Sequence, residues 1–166
     1  MFGSSCKFSV IVNEAEFRVI GSGVRTSNAQ EMAGAGRIAK LGERFVGENL
    51  VAKIPDKLDG AILAVYTDYA SDQDGEYTLI VGARVKDGAE PPQGMIAKNI
   101  PPGRYAGFTS EEGPVEKVVV GTWQRIWSTV KSELGGDRAY VADFEVYDQR
   151  AANPRDAQVD VYVGIR

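Results

Sequence analysis

The sequence predicts an α+β fold in which two β-α-β-β units lie side by side. Strand and helix patterns follow one another in the same order twice, and each helix pattern stands between strand patterns. The length of 166 residues is typical of one domain. We therefore expect a single domain, residues 1–166, whose units span about 17–85 and 95–166. Paired edge to edge, the units would form an antiparallel sheet carrying two main helices, with pseudo-twofold symmetry and a central cleft.

The first unit follows a short strand pattern at Phe8–Val12. β-Branched residues are frequent in Phe17–Arg25, which predicts a strand. Apolar residues then recur at helical spacing, and this predicts the first main helix over Asn28–Val46. Asn28 and Glu31 have the spacing of an N-terminal capping pair.

Two further strands complete this unit. Ala61–Tyr69 and Glu76–Val85 are strand-like, and Asp74-Gly75 between them is typical of a hairpin turn. The following segment, Lys86–Gln93, contains glycine and two prolines, so we expect it to connect the two units.

The second unit repeats this order. Met95–Thr109 is a strand region with a bend at Pro101–Gly103. A continuous apolar stripe predicts the second main helix over Val115–Leu134. Ala139–Tyr147 and Gln158–Arg166 are strands, and the latter has the clearest alternation in the chain.

Composition excludes several classes of function. The chain contains no histidine, which removes the commonest transition-metal and haem ligand and the usual general base, so we expect no cofactor. The acidic residues between 68 and 76 lack the pattern of a calcium loop. The net charge is −4 and the basic residues are scattered, which argues against direct nucleic-acid binding. With neither a membrane-spanning apolar run nor a signal peptide, and with Cys6 as the single cysteine, we expect a cytoplasmic protein.

Several motifs resemble the GyrI-like family, which includes the effector-binding domains of AraC-type and MerR-type regulators. The order and spacing of these motifs carry the resemblance from about Phe17 to Arg166. They are Pro102-Gly103-Arg104-Tyr105-Ala106, a helix bearing Trp123 and Trp127, Phe144-Glu145-Val146-Tyr147, and Asp74-Gly75-Glu76-Tyr77 leading into Ile80-Val81-Gly82.

The resemblance implies a ligand cleft in which Glu145 pairs with a cationic drug and aromatic rings line the walls. The candidate aromatic residues are Tyr66, Tyr69, Tyr77, Tyr105, Tyr147, Trp123 and Trp127. From strand alternation alone, Asp143, Glu145 and Tyr147 share one face. If Phe144 and Val146 face the core, that polar face lies away from the helices, and Glu145 could simply face solvent.

The preferred hypothesis is a stand-alone effector-binding domain, similar to those of transcription regulators, for bulky and cationic hydrophobic molecules. It is not an enzyme under this hypothesis. One alternative is a GyrI-like hydrolase of small molecules, in which Glu145 activates water. Another is a protein-interaction module, with a separate transcription regulator as its partner.

Overall fold

Eight strands and four helices form the part of the chain that the computed structural model describes, residues 10–34 and 36–166. The strands are β1 Val10–Glu14, β2 Phe17–Ser27, β3 Ile62–Thr67, β4 Glu76–Val85, β5 Ile96–Ile100, β6 Gly103–Thr109, β7 Arg138–Tyr147 and β8 Asp160–Ile165. The helices are α1 Asn28–Met32, α2 Ile38–Gly47, α3 Val115–Ser128 and α4 Lys131–Leu134, with short 3-10 turns at Leu50–Lys53 and Gln149–Ala151. The start of the first predicted strand at Phe8, together with Cys6 and Ala35, lies outside the described residues.

The strands form one antiparallel sheet in the order β1-β6-β8-β7-β3-β4-β2-β5. Each half of the chain contributes three neighbouring strands, β3-β4-β2 from the first and β6-β8-β7 from the second. The halves join where β3 pairs with β7, and Ala64 lies opposite Glu145 in that register. The predicted α+β sheet with two main helices, α2 and α3, is confirmed.

The first predicted helix is interrupted, so a continuous helix over Asn28–Val46 is wrong. After α1 the chain passes through Gly34 at φ +84°, a backbone conformation that favours glycine. Glu31 does not cap α1, whose N-cap is Ser27. Instead its carboxylate accepts hydrogen bonds from the backbone N–H groups of Arg37 (2.8 Å) and Ile38 (3.2 Å), which stabilises the start of α2.

The second predicted helix is also divided. Thr129 and Val130 have extended backbone between α3 and α4, so the helix over Val115–Leu134 is not continuous. Two consecutive β-branched residues favour this extended conformation. None of the helices in the described part of the chain is long and apolar enough to cross a membrane.

The sheet is strongly curled, and each of its faces covers an apolar core. The rings of Phe17 on β2 and Phe144 on β7 lie 5.3 Å apart, although a flat sheet would separate these strands by about 14 Å. The helices cover the opposite face, which carries Glu145. A core-facing Phe144 therefore does not direct Glu145 away from the helices, because curling lets Phe144 be buried without a helix above it.

Candidate ligand-binding site

A cavity of about 410 Å³ lies between the sheet and helices α1, α2 and α3. Its size is in the range of small-molecule sites, and apolar and aromatic side chains form most of its wall. The lining residues are Asn28, Glu31, Met32, Ile38, Tyr66, Tyr69, Gln73, Tyr77, Val119, Val120, Trp123, Gln124, Trp127, Arg138 and Glu145.

Glu145 is the acidic group deepest in this cavity, with 2% of its surface exposed. It accepts three hydrogen bonds from neutral donors. The Tyr66 hydroxyl (2.8 Å) and the Trp123 indole N–H (2.7 Å) donate to Oε2, and the Tyr147 hydroxyl (2.5 Å) donates to Oε1. The small side chain of Ala64, opposite Glu145 on β3, leaves room for this cluster.

Burial raises the pKa of Glu145, and the three hydrogen bonds partly offset this effect. Burial and the nearby Glu145 charge also raise the pKa values of Tyr66 and Tyr147 well above the ordinary value, so both hydroxyls remain donors. Within the described residues, no lysine or arginine forms an ion pair with Glu145. The carboxylate is therefore buried without a counter-charge.

A second buried acid, Asp143, does have a counter-charge, the guanidinium of Arg138. Arg138 Nη2 donates to Asp143 Oδ2 (2.7 Å), the Tyr69 hydroxyl donates to the same oxygen, and the Gly164 N–H donates to Oδ1 (2.8 Å). Burial raises the pKa of Asp143, and the charge of Arg138 lowers it. Because Arg138 is paired with Asp143, its charge does not neutralise Glu145.

Aromatic rings surround the carboxylate of Glu145. Tyr66 lies edge-on to both Trp123 and Tyr77, with ring centroids 5.5 Å apart in each pair. Trp127 is tilted against Trp123 at 6.2 Å and remains 49% exposed, so its ring forms part of the cavity mouth. Rings in this arrangement can offer both faces and edges to a cation.

The structure brings most of the sequence-predicted site residues together. Those that line the cavity are Glu145, Tyr66, Tyr69, Tyr77, Trp123 and Trp127. Tyr147 lies behind Glu145 and bonds to it. Tyr105 is elsewhere: its ring packs 5.2 Å from Phe144 in the core on the other face, because alternation along β6 directs Ala106, not Tyr105, towards the helices.

Sequence reasoning missed two charged residues of the cavity wall. The spacing of Glu31 from Asn28 indicates only a helix cap, and its place beside a ligand cavity depends on the break after α1. No sequence pattern indicates that Arg138 lines the cavity, because an irregularity in β7 determines where its side chain lies.

Comparison with known proteins identifies the family. The model described as "Cass2: Integron-associated effector binding protein" matches residues 10–165. The chain belongs to the Cass2 family. Effector binding is therefore its function, and the resemblance to effector-binding domains is confirmed.

The similar proteins agree with a Cass2 assignment. This chain is 37% identical to "Putative transcriptional regulator protein YobU" of Bacillus subtilis (strain 168). The match extends over 160 residues, which are 96% of this chain and 98% of the relative. The integron cassette protein VCH_CASS2, from the mobile metagenome of Vibrio cholerae, is 28% identical with a TM-score of 0.72 over 97% of both chains. SAV2435, solved bound to tetraphenylphosphonium, has the same fold, with 14% identity and a TM-score of 0.75 over 96% of this chain and 94% of that one.

Proposed function

We propose that this chain binds bulky hydrophobic organic cations in the cavity between the sheet and α1–α3, with Glu145 as the counter-charge. The observation that carries the proposal is a buried carboxylate whose hydrogen-bond donors, among the described residues, are all neutral groups. A charge removed from water without a partner is costly, and a bound cation supplies that partner. The tetraphenylphosphonium bound by SAV2435, which shares the fold, supports the same ligand class here.

Apolar contact supplies most of the affinity. Burial of ligand and wall contributes roughly 25 cal/mol for each Å² of apolar area removed from water. A ring face near a cation adds ~0.5–2 kcal/mol. Since ring faces accept many shapes, we expect the site to bind several cations of different outline.

The hydrogen bonds of Glu145 restrict the kind of cation further. A carboxylate has about four acceptor positions, and Tyr66, Trp123 and Tyr147 occupy three of them. Phosphonium and quaternary ammonium cations have no N–H groups, so they need no free acceptor position on the carboxylate. A thermal-shift screen of such cations against neutral isosteres and anions tests the proposal, which fails if cations do not stabilise the protein selectively.

We further propose that the halves at residues 17–85 and 95–166 are β-α-β-β units of one domain, related by a pseudo-twofold axis between β3 and β7. The matching strand orders β3-β4-β2 and β6-β8-β7 support this symmetry. The cavity adjoins the central pair of strands, where Tyr66 on β3 reaches Glu145 on β7. Both units therefore contribute to the cavity.

The hydrolase alternative requires Glu145 to activate a water molecule. Three donors already engage its oxygens, which favours binding over general-base catalysis. A turnover assay with a reactive cyclopropane-type substrate distinguishes the two, because consumption of the substrate would support the hydrolase.

The interaction alternative makes this chain the partner of a transcription regulator. Similarity to YobU supports such a link to transcription, and we propose that the protein acts in the cytoplasm. A pull-down with a separate DNA-binding regulator tests the interaction alternative.

Trp127→Ala is expected to weaken cation binding with little effect on stability. The ring is half-exposed at the cavity mouth, so its loss should change the free energy of unfolding by about 1 kcal/mol or less. Loss of a ring face should lower cation affinity roughly 2–30-fold. Urea unfolding and calorimetric titration measure the two effects. A stability loss of ~3–5 kcal/mol, as for a core tryptophan, would contradict this placement.

Cation affinity is expected to fall at acidic pH. Since burial raises the pKa of Glu145, this carboxyl is protonated at a higher pH than an ordinary glutamate. Affinity should be constant above that raised pKa and decline by up to about tenfold per pH unit below it, because only the ionised group attracts a cation. Titrations at several pH values measure this decline. Glu145→Gln serves as the control, and an equally steep decline in that variant would show that another group is responsible.

A further inference from the structure

The cavity between the sheet and α1–α3 carries more negative charge than a single cation neutralises. Its charged lining residues are Glu31, Arg138 and Glu145. Arg138 is paired with Asp143, a buried acid outside the lining, so this pair adds no net charge. In the part of the chain that the structure describes, neither Glu31 nor Glu145 forms an ion pair with a lysine or arginine. Two carboxylates of one cavity therefore lack a basic partner, and the proposed function uses only Glu145.

Glu31, near the end of α1, is a half-buried acid that stays ionised at neutral pH. Burial raises its pKa, but hydrogen bonds from the Thr26 hydroxyl and from two backbone N–H groups, together with the charge of Arg37, lower the pKa overall. The Arg37 side chain is exposed and donates to the Arg25 carbonyl oxygen (3.0 Å), so water screens its attraction to Glu31. The negative charge of Glu31 is therefore available to a ligand in the cavity.

Two tyrosine rings separate the two acids along the cavity wall. The Tyr66 hydroxyl donates to Glu145 (2.8 Å), and the ring centroids of Tyr66 and Tyr77 lie 5.5 Å apart. The Tyr77 hydroxyl donates to Asn28 Oδ1 (3.0 Å), on the helix that carries Glu31. Burial and the charges of both carboxylates raise the pKa of Tyr77 to about 12, as expected for a hydroxyl that lies within reach of both. The acids therefore lie at two ends of one aromatic wall.

We propose that Glu31 forms a second cation subsite, so that the cavity takes dications in which an apolar linker joins an aromatic onium group to a quaternary ammonium group. The onium group lies beside Glu145 and the ammonium group beside Glu31. Three hydrogen bonds occupy most acceptor positions of Glu31, and a quaternary ammonium group needs none of them. This inference rests on the proposed function, because the cation beside Glu145 anchors the ligand.

The test compares triphenylphosphonium cations whose alkyl chain ends in a trimethylammonio group with those whose chain ends in a tert-butyl group, over a series of chain lengths. The two end groups have nearly the same shape, and only the first is charged. We expect one chain length at which wild-type protein binds the dication about fivefold more tightly than its tert-butyl counterpart. A fixed second subsite predicts such an optimum, whereas attraction to the net charge of −4 predicts only a gradual change with length.

Two variants assign the subsite to a residue. Glu31→Gln keeps the shape of the side chain and removes its charge, so it should bring the dication and the tert-butyl compound to similar affinity at that length. Thermal unfolding checks its fold. Glu43→Gln removes the same charge from an exposed residue of α2 outside the cavity lining, and it should preserve the advantage of the dication.

The outcomes distinguish this inference from the proposed function. If the tert-butyl compound binds wild-type protein at least as tightly as the dication at every length, the second subsite is overturned while cation binding beside Glu145 stands. This comparison needs neither variant. If Glu31→Gln retains the advantage of the dication, or Glu43→Gln abolishes it as completely, the assignment to Glu31 is overturned. If neither ligand binds wild-type protein, the proposed function fails as well.

Discussion

Glu145→Gln is expected to weaken binding of tetraphenylphosphonium by about 1–3 kcal/mol, roughly 5–150-fold. The substitution keeps the shape of the side chain and removes its charge. Attraction between charges is less screened in a cavity walled by aromatic rings than in water, so the missing charge is felt strongly by the cation. Calorimetric titration of wild type and variant measures the difference.

A neutral triphenyl compound, such as triphenylphosphine oxide, is the ligand control for this experiment. Its affinity for Glu145→Gln should be little lower than for wild type, or even higher. In wild type the neutral compound buries the charged carboxylate without neutralising it, which costs free energy. Glu31→Gln is the matched control variant, since Glu31 lines the same cavity but already accepts hydrogen bonds from Thr26 (2.6 Å) and from two backbone N–H groups. It should weaken cation binding less. If Glu145→Gln changes the affinity for the cation and for the neutral compound equally, Glu145 is not the counter-charge.

Phe144→Ala is expected to reduce the free energy of unfolding by about 3–5 kcal/mol. The ring has no exposed surface and lies 5.3 Å from Phe17, 5.2 Å from Tyr105 and 4.9 Å from Tyr162. Its removal leaves a cavity among residues that strand pairing holds in place, so the site cannot collapse fully. Urea unfolding measures the loss.

The matched control for Phe144→Ala is Val141→Ala on the same strand. Val141 is 50% exposed, so this change should cost about 1 kcal/mol or less. If the two substitutions destabilise the protein equally, the face of the sheet without helices is not a closed core.

The repeated order of strands and helices was predictable because periodicity is local. The continuity of the helices was not, since Glu31 was available both as a cap for α1 and as the cap that starts α2, and only the fold selects the second role. Strand alternation left the face of Glu145 undecided for a related reason. Alternation along β7 separates Phe144 from Glu145, but it does not say which face carries the helices when a curled sheet buries both.

The candidate site shows the same division between local and long-range information. Tyr66, Tyr77, Trp123 and Glu145 could be named from motifs, and they line one cavity. Tyr105 belongs to a motif as well, but its strand directs it to the other core. The position of Arg138 depends on a register shift between β7 and β8, for which residue types alone give no sign.

The most direct test of the central claim is a titration of wild-type protein with tetraphenylphosphonium and with tetraphenylborate, two ions of nearly the same shape and opposite charge. If Glu145 is a buried, uncompensated carboxylate, the phosphonium binds and the borate binds at least about 100-fold more weakly, because like charges placed together cost several kcal/mol. Equal affinity for the two ions, or tighter binding of the borate, would contradict the account.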